Sequence, residues 1–182
     1  LTGTVAGPAW AAPRTFTILP DSSVTYAGHH PAHEWKGVSR MLRGTFQLDP
    51  DAPALETPVT ISVPVRSFSS GNRNRDSNAL ASLDASRFPQ VSLRIDRLMD
   101  VKREAAGAGA KGMAVVEGVL TFHGVSKPIS FPISGQFDGN RLQATASFPV
   151  SVTAHGIERP KLLFVPMDDR IDITVQLNAK AE

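Results

Sequence analysis

The sequence predicts an all-β protein, a closed antiparallel eight-stranded barrel carrying one short helix. Three observations predict it: hydropathy alternates with a period of two along most of the chain, turn-forming residues separate the alternating segments, and one stretch breaks the alternation. Val59, Ile61, Val63 and Val65 fall on one face, with Thr60, Ser62 and Arg66 on the other. Val91, Leu93 and Ile95 oppose Ser92, Arg94 and Asp96 in the same way. Leu142, Ala144, Ala146, Phe148, Val150 and Val152 form a longer apolar row, and Ile171, Ile173, Val175 and Leu177 another. Strands with a single apolar face belong to antiparallel sheets wetted on one side.

Further strands are expected at 16–19, 24–29, 43–48, 112–122 and 128–137. Pro20-Asp21, Asp49-Pro50-Asp51, His123-Gly124 and Asp138-Gly139-Asn140 punctuate them, and Gly and Asn accept the positive φ of tight hairpin turns. Neighbouring strands should therefore pair in chain order. Closing such a sheet on itself covers the shared apolar face and abolishes exposed edges. The break lies near residues 72–84, where helix formers replace alternation and Leu80 and Leu83 stand at i, i+3, predicting a short helix over one opening. The Ala/Gly-rich stretch 102–111 is expected to be a flexible hairpin loop.

Composition fits one ordinary globular domain over 14–182, with 41% hydrophobic, 20% charged and 7% aromatic residues. Segment 1–13 is small, apolar and uncharged and carries an Ala9-Trp10-Ala11 triplet; it is expected to be a signal-peptide remnant or a disordered tail, which points to a periplasmic or secreted protein. No stretch reaches the roughly 20 apolar residues of a transmembrane helix. The net charge of +2 is dispersed, so no nucleic-acid partner is expected. The absence of cysteine excludes disulfides, zinc-thiolate centres and a cysteine nucleophile.

No G-x-S-x-G elbow and no glycine-rich phosphate loop is present, so neither catalysis nor a nucleotide cofactor is expected. The alternative is a metal-binding protein or metal-dependent enzyme built on His29, His30, His33 and Glu34, a dense set of donors. Such a site needs three or four converging ligands, and Pro31 denies the segment a helix that would align them. His123 and His155 join it only if the fold brings them near. The inward set mixes Phe46, Phe122, Phe131 and Phe148 with Gly118, Ala144 and Ala146. That mixture suits a hollow barrel and a solid one equally, and a solid one would be a ligand-free interaction module.

Several motifs stand in a fixed order: Gly44-Thr45-Phe46, Asn74-Arg75-Asp76 with Leu80 and Ser82, Phe88-Pro89-Gln90-Val91-Ser92-Leu93, and the run Gly118-Val119-Leu120-Thr121-Phe122-His123-Gly124-Val125-Ser126-Lys127-Pro128. Together they resemble the YceI-like family of polyisoprenoid-binding, lipocalin-like barrels over roughly Thr15 to Ala179. The resemblance implies non-catalytic sequestration or transport of an isoprenoid quinone, polyprenyl chain or fatty amide in the barrel, with no further cofactor and with a homodimer possible by analogy. It implies a ligand wall made by Phe46, Val63, Val65, Leu80, Leu83, Phe88, Phe122, Phe131, Ile133 and Phe148. Arg75 and Asp76 would fix the helix, and Gly124, Lys127 and Pro128 would shape a turn. Departures from the family pattern lie at 83–88, which keeps one aromatic where the family carries a pair, in the histidine-rich segment, and at 157–164.

Overall fold

A computed structural model describes residues 13–55, 57–106, 109–162 and 164–182. Except for Pro13, the segment 1–13 expected to be a signal remnant or tail lies outside the described residues. The chain runs through β1 (Arg14–Ile18), β2 (Ser23–His30), β3 (His33–Ser39), β4 (Thr45–Leu48) and β5 (Val59–Pro64), then a 3-10 turn at Val65–Ser67 and the helix α1 (Arg73–Ser82). It continues through β6 (Gln90–Ala106), β7 (Gly109–Phe122), β8 (Val125–Asp138) and β9 (Arg141–Ser151), a second 3-10 turn at Thr153–His155, the small hairpin β10 (Lys161–Leu162) and β11 (Val165–Pro166), and β12 (Arg170–Ala181). No helix among the described residues is long and apolar enough to cross a membrane.

All pairings are antiparallel, in the order β3-β2-β12-β9-β8-β7-β6-β5, with β1 on β12 and β4 on β1. The long strand β12 serves two neighbours along one edge: Ile171 to Gln176 pair with β2, and Ala179 to Ala181 with β1. The sheet curls into a half-barrel, and here the expectation of a closed barrel is corrected. Between β5 and the β3/β4 side there is no continuous ladder. Two isolated bridges span that seam, Arg43 with Ser62 and Val38 with Ser69, each with two backbone bonds of 2.9–3.0 Å. The chemistry at the seam explains the gap. Pro50, Pro53 and Pro58 lack the N–H a ladder needs, and Pro64 leads β5 directly into a 3-10 turn.

Two further expectations are corrected. Residues 102–106 and 109–111 are strand, extending β6 and β7 where a flexible loop was expected; Gly107 and Ala108 lie outside the described residues. The histidine-rich segment is a hairpin whose second arm, β3, was not anticipated. The expected helix is present, capped by the Asn72 side chain, which accepts from the Arg75 backbone N–H at 3.1 Å. Asp76 fastens the turn before it by accepting from the Ser70 backbone N–H at 2.9 Å and the Ser70 hydroxyl at 2.6 Å. The Ser70 hydroxyl, with smaller help from the other bonds and Arg75, holds the Asp76 carboxyl below its ordinary pKa despite opposing desolvation.

His123 and Gly124 form the two-residue turn between β7 and β8, both at positive φ (51° and 73°). That is the geometry whose twist suits a hairpin. A Cβ at position 124 would fall 2.3 Å from Phe88 Cε1, so glycine is required there on both counts.

The inner face carries two apolar clusters. One gathers Leu120, Phe122, Phe131, Phe148, Val150, Ile157 and Met167 toward the β7–β8 turn, with Trp35 and Leu83 packed against it. The other gathers Phe16, Ile18, Leu48, Val63, Leu142, Leu177 and Ala179 toward the β8–β9 turn at Gly139-Asn140, with Phe46, Leu98, Ile133 and Phe137 alongside.

Candidate ligand-binding site

The two clusters differ in how far side chains fill the space between the strands. In the first, Phe131 and Phe148 stack with centroids 4.1 Å apart and planes 19° from parallel, and both are buried. In the second, side-chain volume runs out. Gly112 on β7 is the register partner of Gly135 on β8, and Gly135 is the partner of Ala144 on β9. Registered partners share a face, so three adjacent strands present almost nothing to the interior at one level.

An apolar cavity of about 140 Å³ results. Phe46, Ile61, Leu98, Val116, Ile133, Phe137, Leu142 and Leu177 form its walls; Pro53, Leu55, Val101 and Lys102 also line it. Lys102 is the single charged residue among the described lining. The opening follows from strand lengths. Pairing of β5 with β6 ends at Val59 and Ile95, whereas β6 runs on to Ala106 through register shifts at Ile95/Arg97 and Met99/Lys102. Such bulges bend a strand away from its neighbour. The free edge of β6 thus faces Pro53 and Leu55, and Arg103 reaches from it to Asp51, Nη2 to Oδ1 at 3.0 Å.

The structure divides the ten wall residues expected from the family resemblance. Phe46 and Ile133 line the cavity. Val63 is buried in the same cluster without reaching the cavity, and Val65 is buried in the 3-10 turn beyond β5. Phe122, Phe131 and Phe148 belong to the packed cluster, against which Leu83 rests, while Leu80 is half-buried on the helix. Phe88 stacks edge-on against the His123 ring, 4.7 Å between centroids. Sequence reasoning missed Leu98, Val101, Phe137, Leu142 and Leu177, together with the two glycines that make room for them. The usable signal was Gly135 itself, a glycine inside an otherwise alternating strand.

The histidines separate rather than converge. Register pairs His29 with Glu34 and His30 with His33, and adjacent residues of a strand point to opposite faces, so the set is split between two sides. His29 Nε2 lies 3.1 Å from Asp172 Oδ2, and its Nδ1 lies 3.8 Å from Glu34 Oε2. His30 accepts from the Ala32 backbone N–H at Nδ1 (3.1 Å), which leaves Nε2 to donate to the Val165 carbonyl at 3.2 Å. His123 and His155 lie at the other turn cluster, where His123 Nδ1 donates to the His155 carbonyl at 3.1 Å. No group of three His, Asp or Glu side chains among the described residues is placed to hold a metal ion. Asp172 is held below its ordinary pKa chiefly by the Arg170 guanidinium, with His29 a lesser contributor. At the packed end Asp169 accepts from the Ser151 hydroxyl and the Thr153 backbone N–H, and these bonds likewise depress its carboxyl.

The model of the YceI-like domain family matches residues 16–179, nearly the whole described chain. The chain belongs to the YceI-like domain family. A "UPF0312 protein" of Pseudomonas fluorescens (strain SBW25) is 26% identical over 178 residues, covering 88% of this chain and 86% of that protein. Burkholderia cenocepacia BcnA superposes with a TM-score of 0.74 at 18% identity, covering 90% of this chain and 99% of BcnA. A polyisoprenoid binding domain from Saccharophagus degradans, implicated in plant cell wall breakdown, gives 0.73 at 10% identity, covering 92% and 98%. A YCEI protein of Campylobacter jejuni gives 0.64 at 16%, covering 85% and 89%. At these identities the solved structures establish a shared YceI-like fold, and the glycine-lined cavity is argued from this YceI-like chain's own residues.

Proposed function

We propose that the protein is a non-catalytic binder that sequesters or carries an apolar isoprenoid or lipid-like chain, taken tail-first into the cavity between β5–β9 and β12. The observation that carries this reading is an apolar recess, open on one side, in which Lys102 is the only charged residue among the described lining. Membership of the YceI-like family supports it, and so does the likeness to a polyisoprenoid binding domain.

The cavity's size sets what must be true of the ligand. About 150 Å³ of dry apolar space takes one benzene-sized group, so the cavity seats roughly one five-carbon unit. At ~0.8 kcal/mol per buried carbon that gives about 4 kcal/mol, a millimolar affinity. Micromolar binding takes about ten buried carbons, so a second unit has to be covered at the mouth by Val101, Pro53 and Leu55. The free edge of β6 allows that widening with no ladder to break. Export to the periplasm or beyond is part of the proposal, and the signal-like composition before Pro13 supports it.

The test is native mass spectrometry of protein purified without detergent, followed by titration with farnesol. The reading expects a co-purifying or added apolar molecule bound at a ratio of one. Protein that carries none and takes up none is a ligand-free module, and the reading is then wrong.

A further inference from the structure

Beside the cavity mouth lies one interaction that apolar binding does not require. Arg103, on the free edge of β6 and next in the chain to the lining residue Lys102, reaches the carboxylate of Asp51, two residues before the lining residue Pro53, through a single contact of 3.0 Å from Nη2 to Oδ1. The pair is exposed, 40% for the arginine and 63% for the aspartate, and Arg103 is adjacent to Lys102 on the cavity lining. Asp51 sits in a turn in which its own backbone N–H donates to Asp49 Oδ1 at 2.8 Å, beside Pro50 and Pro53. The chain therefore presents a carboxylate of its own to a guanidinium at the edge of an apolar hole.

An exposed pair of this kind is worth at most about 1 kcal/mol, so its carboxylate is readily exchanged for another. A guanidinium offers a planar fork that can take both oxygens of a carboxylate, whereas the contact with Asp51 uses one nitrogen and one oxygen. A chain seated tail-first leaves its head at this rim.

We propose that Arg103, which register places on the same face as Gly112, reads a carboxylate head on the bound chain, and that Asp51 is an internal placeholder which the ligand's carboxylate displaces. This deepens the carrier reading and rests on it: the preferred ligand becomes a single-chain apolar acid. Opposite charge close by does not cancel the effect. Glu104 is the register partner of Lys111 on the sheet's outer face, and the Arg97 guanidinium is already paired with Glu117 at 2.6 Å.

The experiment measures farnesoic acid and farnesol binding at neutral pH to the wild type and to Asp51→Asn, Arg103→Gln and Arg103→Lys, with thermal unfolding as the folding control. The wild type is expected to prefer the acid. Removing the placeholder in Asp51→Asn should raise that preference by up to about fivefold, Arg103→Gln should abolish it, and Arg103→Lys should restore part of it. Equal affinities for acid and alcohol in the wild type, or a preference that none of the three variants changes, overturns the head-group proposal and leaves the carrier reading standing. Failure of the wild type to bind either molecule sinks both.

Discussion

Replacing Gly135 with valine is expected to weaken farnesol binding about fiftyfold without harming the fold. Position 135 lies in the row where the interior side chains stop, facing Ala144 and Gly112. A Cβ there meets Gln143 O and Leu142 Cδ1 at 3.6 Å, ordinary van der Waals distance, and β-branched residues suit strands. The added carbons therefore occupy space that the ligand would use. Three ligand carbons excluded at ~0.8 kcal/mol each cost about 2.4 kcal/mol of affinity, the fiftyfold expected. The midpoint of thermal unfolding should hold or rise, because a void has been filled. A Gly135→Val protein that folds and binds farnesol as the wild type does would locate the ligand elsewhere.

The second large effect concerns stability. Phe148→Ala is expected to cost about 3–5 kcal/mol, since Phe148 is buried, stacks on Phe131 and packs among Phe122 and Val150. For a chain of this size that lowers the unfolding midpoint by on the order of 10 °C, readable by circular dichroism. The family resemblance implied that Phe131 and Phe148 border the ligand, and this variant separates the two roles. A side chain facing an open ligand space gives up few contacts when truncated, so a loss of only ~1 kcal/mol would favour the ligand-wall role.

How much of this was legible in the sequence follows from what each pattern physically encodes. Alternation fixes which face of a strand is apolar, and the rows Leu142 to Val152 and Ile171 to Leu177 lie on the inner face as read. Turn chemistry fixes which strands are neighbours, and His123-Gly124 and Gly139-Asn140 join the strands they were expected to join. The helix was signalled by the loss of alternation, and Asn72 caps it.

The seam was harder to read because it depends on what is missing from a ladder. The prolines at 50, 53 and 58 were visible in the sequence, but the edge they would leave unpaired was not. The extension of β6 and β7 through 102–111 was hidden because Ala and Gly carry no period, and pairing to the neighbouring strands overrides their weak local preference. The cavity was the least legible feature. Of the expected aromatic residues Phe46 lines the cavity, whereas Phe122, Phe131 and Phe148 fill the other end of the interior, and the cavity arises where Gly112, Gly135 and Ala144 coincide across three strands. That coincidence is a matter of register, which hydropathy along a single strand does not carry.

An apolar chain bound tail-first occupies the space beside Gly135, and intermolecular nuclear Overhauser effects observe this directly. With protein methyl-labelled at Leu, Ile and Val and unlabelled farnesol added, contacts are expected from the ligand to the methyls of Leu98, Ile133 and Leu142. Bound farnesol that touches none of these three, or only methyls on the sheet's outer face, would contradict that placement.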